Sequence, residues 1–230
     1  MIYDIILPSQ SLFHTTYIKS LVTTSEDEHY ELFEESLRLL GEGKWAEAEV
    51  AYKKLIDLRP TTAIYWIGLG RCQLAQQKLE DAYVSAQKAL ELDEKTSHSW
   101  NLMGCVLKAK NEFRAAESYF EKAIELSPKD STSWSSLAAC LVGMGRDNDA
   151  EAAARKSLEF NPHFFEAWLV LGLVYLRSRK LKESEESFRK LAEVAPNMPE
   201  AFDLLAIALE AQGNHTDAAA VKAKARSLRA

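Results

Sequence analysis

Residues 131 to 162 read STSWSSLAACLVGMGRDNDAEAAARKSLEFNP, and this stretch decides the fold. Apolar residues recur at helical spacing through residues 134 to 141. Gly143-Met-Gly145 then interrupts the pattern, a second apolar run occupies residues 150 to 160, and Asn161-Pro162 ends that run. The stretch therefore predicts two helices joined by a short turn, which together form a helical hairpin.

The same pattern recurs every 34 residues along the chain. A large apolar residue, the marker residue of each repeat, stands at Leu32, Trp66, Trp100, Trp134, Trp168 and Phe202. Four residues after the marker stand the small residues Ser36, Gly70, Gly104, Ala138, Gly172 and Ala206. Sixteen residues after it stand Ala48, Ala82, Ala116, Ala150, Ser184 and Ala218. Small residues let two helices cross closely, and such a hairpin buries its apolar face only against neighbouring hairpins. The period therefore predicts a stacked array.

This pattern resembles the tetratricopeptide repeat (TPR) family over about Ser25 to Ala230. The resemblance implies an all-α fold, a right-handed superhelical α-solenoid of about six helix-turn-helix hairpins. The predicted units are about 29–62, 63–96, 97–130, 131–164, 165–198 and 199–230. Twenty residues after the marker an aromatic residue would pack on the next hairpin, and Lys222 at that position of the last unit predicts that no hairpin stacks beyond it.

Residues 1 to 24 lie outside the repeat. Ser25-Glu-Asp-Glu28 has the spacing of a capping box, so the first repeat helix is predicted to begin just after Ser25. The preceding segment is apolar and almost uncharged, and three interpretations of it stay open. It is a helix that caps the array, a tail that enters the concave groove of this molecule or a neighbour, or a disordered terminus. Self-association through this extension or the first hairpin is a further hypothesis.

The composition argues against several classes of function. A net charge of -6 and a pI near 5.5 disfavour binding to nucleic acid or to an anionic membrane surface. No run of apolar residues is long enough to span a bilayer, and the N-terminus lacks the basic region of a signal peptide, so we expect a cytoplasmic protein. Cys72, Cys105 and Cys140 are too far apart for a metal pair and are expected to be small buried thiols.

No pattern of catalytic residues stands out in the sequence. The five histidines are scattered and have no metal-ligand spacing, and neither a nucleophile motif nor a complete phosphate-binding loop is present. The sequence therefore predicts a protein that is not an enzyme and holds no metal or cofactor.

The resemblance implies that the concave face is lined mainly by the first helix of each hairpin, at four positions. These lie two residues before the marker and one, five and eight residues after it. The candidate groove residues at these positions are Phe33, Leu37, Ile64, Ile67, Arg71, His98, Asn101, Cys105, Lys108, Ser135, Leu169, Leu173 and Asp203. The alternative is that part of this set packs between neighbouring first helices.

An apolar groove suits an amphipathic helix or an extended hydrophobic segment of another protein. Our leading hypothesis is therefore a scaffold or adaptor that binds such a segment. Two alternatives stay open: a chaperone for a secreted or aggregation-prone client, and a regulatory module of a larger enzyme or assembly.

Overall fold

The computed structural model describes residues 24 to 229, which contain twelve α-helices and no β-strand. The helices are α1 (Thr24–Gly41), α2 (Trp45–Leu58), α3 (Ala63–Ala75), α4 (Leu79–Leu92), α5 (Ser97–Ala109), α6 (Phe113–Leu126), α7 (Ser131–Gly143), α8 (Asp147–Phe160), α9 (Phe165–Arg177), α10 (Leu181–Val194), α11 (Pro199–Ala211) and α12 (His215–Ser227). Consecutive pairs form hairpins 1 to 6, in which odd-numbered helices come first. The predicted all-α solenoid is confirmed. The predictions for residues 1 to 23 and for the capping side chain at Ser25 fall outside the described residues and side chains. The predicted helix start just after Ser25 is wrong, because α1 already includes Thr24 and Ser25.

The two helices of a hairpin have different neighbours. First helices pack side by side, since α3 contacts α5, α5 contacts α7 and α7 contacts α9. Each second helix packs on the first helix of its own hairpin and on that of the next hairpin. Within residues 24 to 229, no two second helices make comparable contact with each other. Because the first helices approach one another more closely, they form the inner layer, and the face that they expose is concave.

The small residues expected where helices cross are buried. Phe188 of α10 is fully buried against α9, and a Cβ added at Gly172 would lie 2.3 Å from its ring. Hairpin 4 has Ala154 in place of that aromatic residue, and Ala138 stands where hairpin 5 has glycine; both alanines are fully buried. In hairpin 4 the small Ala154 therefore leaves room for the methyl group of Ala138.

Each marker tryptophan closes the junction between two hairpins. Its indole N–H donates a hydrogen bond of 2.7–2.9 Å to the backbone carbonyl six residues earlier, in the loop that joins the hairpins. The four bonds run from Trp66 to Pro60, from Trp100 to Glu94, from Trp134 to Pro128 and from Trp168 to Pro162. Trp66 and Trp168 each also pack against two of the three apolar clusters of the core. Trp66 and Trp168 therefore fill the gap between neighbouring hairpins.

A polar link on the second helices also joins neighbouring hairpins. The linking residues, seventeen positions after each marker, are Glu49, Tyr83, Glu117, Glu151 and Glu185. In hairpins 1 to 4 this residue meets a cation of the next hairpin, by the pairs Glu49–Lys78, Tyr83–Lys110, Glu117–Arg146 and Glu151–Lys180. The Lys110 ammonium lies 5.1 Å from the centre of the Tyr83 ring, so this pair is a cation–π contact. Glu185 instead accepts a hydrogen bond from the neutral Gln212 amide at 2.8 Å.

Candidate functional site

The four candidate positions fall on one stripe of each first helix, because spacings of three, four and seven residues return to the same helix face. Burial varies along that stripe in a regular way. The positions two residues before and five residues after the marker are exposed or half-buried in every hairpin. The position one residue after the marker is deeper, and it is buried in hairpins 2 and 4. We call the exposed part of this stripe, over all six hairpins, the groove.

Apolar side chains are exposed at both ends of the groove. Tyr30 is 50% exposed, Ile64 is 38% exposed and Ile207 is 45% exposed. Leu169 and Leu173 of α9 are half-buried and pack against the core cluster of hairpins 5 and 6. Leu37 of the candidate set is half-buried as well. The groove therefore offers apolar contact surface on α1, α3, α9 and α11.

Three members of the candidate set pack between helices. Ile67 is only 8% exposed and belongs to the main core cluster. Ser135 is buried, and Phe33 is half-buried with its ring centre 5.5 Å from that of Tyr65 on α3. Phe33 contacts the neighbouring hairpin, and Ile67 and Ser135 are buried at the same position, because the position after the marker faces the adjacent first helix as well as the groove. Packing between first helices, the alternative interpretation, accounts for them.

The middle of the groove is polar. The Asn101 amide lies 3.4 Å from the Ser133 hydroxyl oxygen, and the Cys105 thiol lies 3.6 Å from the Asn101 carbonyl oxygen. Cys105 Sγ is also 3.9 Å from Ser136 Oγ. These contacts tie α5 to α7 and hold the two helices in register. His98, on α5, is exposed.

The three cysteines lie in different surroundings. Cys72 and Cys140 are fully buried, as predicted, and burial raises the pKa of both thiols to about 11. Cys105 is half-buried in the groove, so the prediction of a buried thiol is wrong there. Cys105 stands five residues after its marker, at one of the two open positions of the stripe.

The two halves of the groove carry opposite charges: its cations lie on α3 and α5, and its acids lie on α9 and α11. Arg71 is exposed on α3 and Lys108 is half-buried at the end of α5. Burial raises the pKa of the Glu166 carboxyl on α9, and the Lys108 charge acts in the opposite direction without overcoming it. The candidate set does not include Glu166, although it stands two residues before its marker, as His98 and Ile64 do.

The acidic residues of the last hairpin are paired within that hairpin. Asp203 forms an ion pair with Arg229, which also approaches Glu200 at 3.8 Å. Glu210 pairs with Lys222 at 2.6 Å. The sequence pattern does not predict either of these pairs, since pairing across a hairpin depends on where the last helix crosses the first. Asp203, a candidate groove residue, is therefore already engaged by its own hairpin.

Among residues 24 to 229, no three His, Cys, Asp or Glu side chains converge in a way that could bind a metal ion. No helix there combines the length and apolar character that crossing a membrane requires. An open depression lies at the last junction, lined by residues that include Phe165, Pro196 and Met198.

Comparisons with known proteins agree with this architecture. A family model described as a tetratricopeptide repeat matches residues 39–104. The model of the cilia and flagella-associated protein 70 middle TPR-like domain matches residues 110–229, more than half of the chain. No curated protein matches the sequence.

Solved structures of low sequence identity share the fold. PilW, described as a widely conserved type IV pilus biogenesis factor, is 17% identical, with a TM-score of 0.73 over 90% of this chain and 94% of that chain. TTC0263, a thermophilic TPR protein of Thermus thermophilus, is 17% identical, with a TM-score of 0.73 over 79% of this chain and 98% of that one. YrrB, described as a TPR protein with an unusual peptide-binding site, is 24% identical, with a TM-score of 0.53 over 77% of this chain and 92% of that one. The chain belongs to the tetratricopeptide repeat family.

Proposed function

We propose that this protein is a non-catalytic adaptor whose groove binds a peptide segment or a helix of a partner protein. The observation that carries the proposal is the exposure of Ile64 and Ile207, which are 38% and 45% exposed, on the face that the first helices present to the groove. An apolar side chain that remains exposed beside a packed layer gains free energy when a partner covers it, by about 25 cal/mol per Å². TPR proteins in general bind protein or peptide partners, and YrrB is described as having a peptide-binding site.

The partner that suits this surface is amphipathic or extended and apolar. Tyr30, Ile64, Leu169 and Ile207 occupy different hairpins, so a segment must span several first helices to meet them. First helices pack 8–10 Å apart, and an extended chain advances about 3.3 Å per residue. Passing from α1 to α11 takes five such steps, about 40–50 Å, so an extended segment that meets all four residues is on the order of 12–15 residues long.

The test is affinity capture from the native host with matched variants of the full chain. Ile64→Glu/Ile207→Glu places charge at two exposed groove residues, and Val50→Glu/Val84→Glu places it on second helices, where Val50 and Val84 are 54% and 61% exposed. Ile67 is unsuitable, because a buried glutamate there would unfold the hairpin. Circular dichroism should confirm that both variants fold.

We expect the groove variant to lose a partner that the control retains. Retention by both variants, or loss from both, would contradict binding in the groove. A captured protein that aggregates when this chain is absent would identify a client, and the chaperone alternative would then replace the adaptor.

A further inference from the structure

Two cations of the groove have no counter-ion in the part of the chain that the structure describes. Among residues 28 to 229, neither Arg71 nor Lys108 forms an ion pair or a side-chain hydrogen bond. Lys110, only two residues beyond Lys108 but on the other side of α5, pairs with Glu80 at 3.0 Å. At the end of α5, Lys110 is therefore paired outside the groove, whereas Lys108, in the groove, has no ion pair among the described residues.

Arg71 and Lys108 lie close enough to contact one ligand group. They stand on α3 and α5, which pack directly on each other. Packed helices lie 8–10 Å apart, and the offset of three positions between the two residues adds a rise of about 4.5 Å. Both side chains are long and flexible, so an anionic group held above the crevice between α3 and α5 can be reached from both sides.

The acids of the groove do not neutralise these cations. Burial raises the pKa of Glu166 and the Lys108 charge lowers it, but the two side chains form no ion pair among the residues that the structure describes. Asp203 and Glu210 are paired with Arg229 and Lys222 in the last hairpin. The α3–α5 part of the groove is therefore locally positive in a chain whose net charge is -6.

We propose that the partner segment carries an aspartate or glutamate side chain that pairs with Arg71 and Lys108, beside an apolar residue that rests on Ile64. This inference depends on the proposed function, because it names the chemistry of the segment that the groove binds. Lys108 is half-buried, and a charge pair formed where water is partly excluded is stronger than one on an open surface. The carboxylate also fixes the position of the segment along the array.

The test uses an array of synthetic 12-residue peptides attached to the support through their C-termini, so that no free terminal carboxylate is present. The peptides share a leucine-containing template and differ at one central position, which is Asp, Glu, Asn, Gln or Lys. The full chain is compared with Lys108→Glu and with Lys129→Glu, which makes the same charge change at an exposed loop residue.

The wild-type chain should retain Asp and Glu peptides about tenfold more strongly than Asn and Gln peptides, as a charge-assisted hydrogen bond predicts. Lys108→Glu should abolish the preference for acidic peptides, because the new carboxylate offsets the Arg71 charge, whereas Lys129→Glu should leave the preference unchanged. Equal retention of Asp and Asn peptides by the wild type, or an acidic preference that survives Lys108→Glu, would overturn this inference alone. If every peptide binds the Ile64→Glu/Ile207→Glu variant as strongly as it binds the wild type, the proposed groove function itself fails.

Discussion

The four junctions between hairpins 1 and 5 differ from the last junction, between hairpins 5 and 6, in two independent contacts. At the first four, a tryptophan donates its indole N–H to the connecting loop, whereas Phe202 at the last junction has no such donor. At the first four junctions, a lysine or arginine contacts the linking residue of the preceding hairpin. At the last junction, the neutral amide of Gln212 takes its place. The 34-residue period predicts that the hairpins stack. The side chains at each junction determine how much that junction contributes to stability.

This difference has a consequence for the dynamics of the array. In a repeat protein each hairpin contacts mainly its neighbours, so stability is close to a sum of hairpin and junction contributions. Among the described residues, hairpin 6 contacts only hairpin 5, and their junction lacks both the indole hydrogen bond and the cation, although Gln212 still donates to Glu185. We therefore expect hairpin 6 to open locally at a lower free energy than hairpin 3, which hydrogen exchange of its backbone amides would measure.

The largest expected effect tests the packing inside hairpins 5 and 6. Gly172→Ala should lower the free energy of unfolding by about 2 kcal/mol, because the new methyl group would meet the buried Phe188 ring. Alanine favours helix by about 1 kcal/mol, so the steric cost must exceed that gain. The matched change is Ala206→Gly in hairpin 6, where Lys222 replaces the aromatic residue; it should cost about 1 kcal/mol. Urea unfolding measures both, and a Gly172→Ala chain as stable as the wild type would show that Phe188 can move aside.

The next prediction exchanges the aromatic marker residues of the two kinds of junction. Trp134→Phe removes the hydrogen bond to Pro128 and some buried apolar area, so it should destabilise the chain by about 1–2 kcal/mol. Phe202→Trp supplies the missing donor to the Pro196 loop and should slow hydrogen exchange in α11 and α12. If Phe202→Trp leaves exchange in hairpin 6 unchanged, the indole bond is not what distinguishes the last junction.

The 34-residue period was enough to predict the fold, but it predicted the groove residues only in part. The step between tryptophans fixed the hairpins, their order and the small residues at helix crossings. It could not separate Ile67, which is buried, from Ile64, which is exposed, because one apolar stripe faces both the adjacent helix and the groove. The pairing of Asp203 with Arg229 depends on the path of α12, which the period does not specify.

A smaller effect depends on pH. Hydrogen bonds from Lys53 and Lys78, and to a lesser extent from Gln76, hold the pKa of the nearly buried Glu49 carboxyl at about 2. A carboxyl whose pKa is lowered by folding stabilises the protein above its unfolded pKa, near 4.5, and that contribution disappears as the pH falls from there to about 2. Glu49→Gln should therefore cost about 1 kcal/mol at pH 7, because both lysines are largely exposed, and almost nothing at pH 2.

The comparison for Glu49 is Glu185→Gln at the last junction. Glu185 meets only the neutral Gln212 across that junction, so its replacement should cost less at pH 7 than the replacement of Glu49. Urea unfolding at several pH values measures both variants. Equal costs at pH 7 would show that the charge of Lys78 adds nothing across the first junction.

The smallest effect concerns the turns within hairpins 5 and 6, which share one backbone path. Arg179 has φ of 58° and Gly213 has φ of 82°, and the next N–H bonds back to Tyr175 or Leu209 at 2.9 Å in both turns. A residue with a Cβ is strained there, so Gly213→Arg should cost about 1 kcal/mol. Arg179→Gly should gain only about 0.5 kcal/mol, because glycine also loses more freedom on folding. Ser178→Gly, at an ordinary φ of -80°, should destabilise and serves as the control. If the gain at Arg179 equals the loss at Gly213, the turns are interchangeable, and the weakness of hairpin 6 lies at its junction alone.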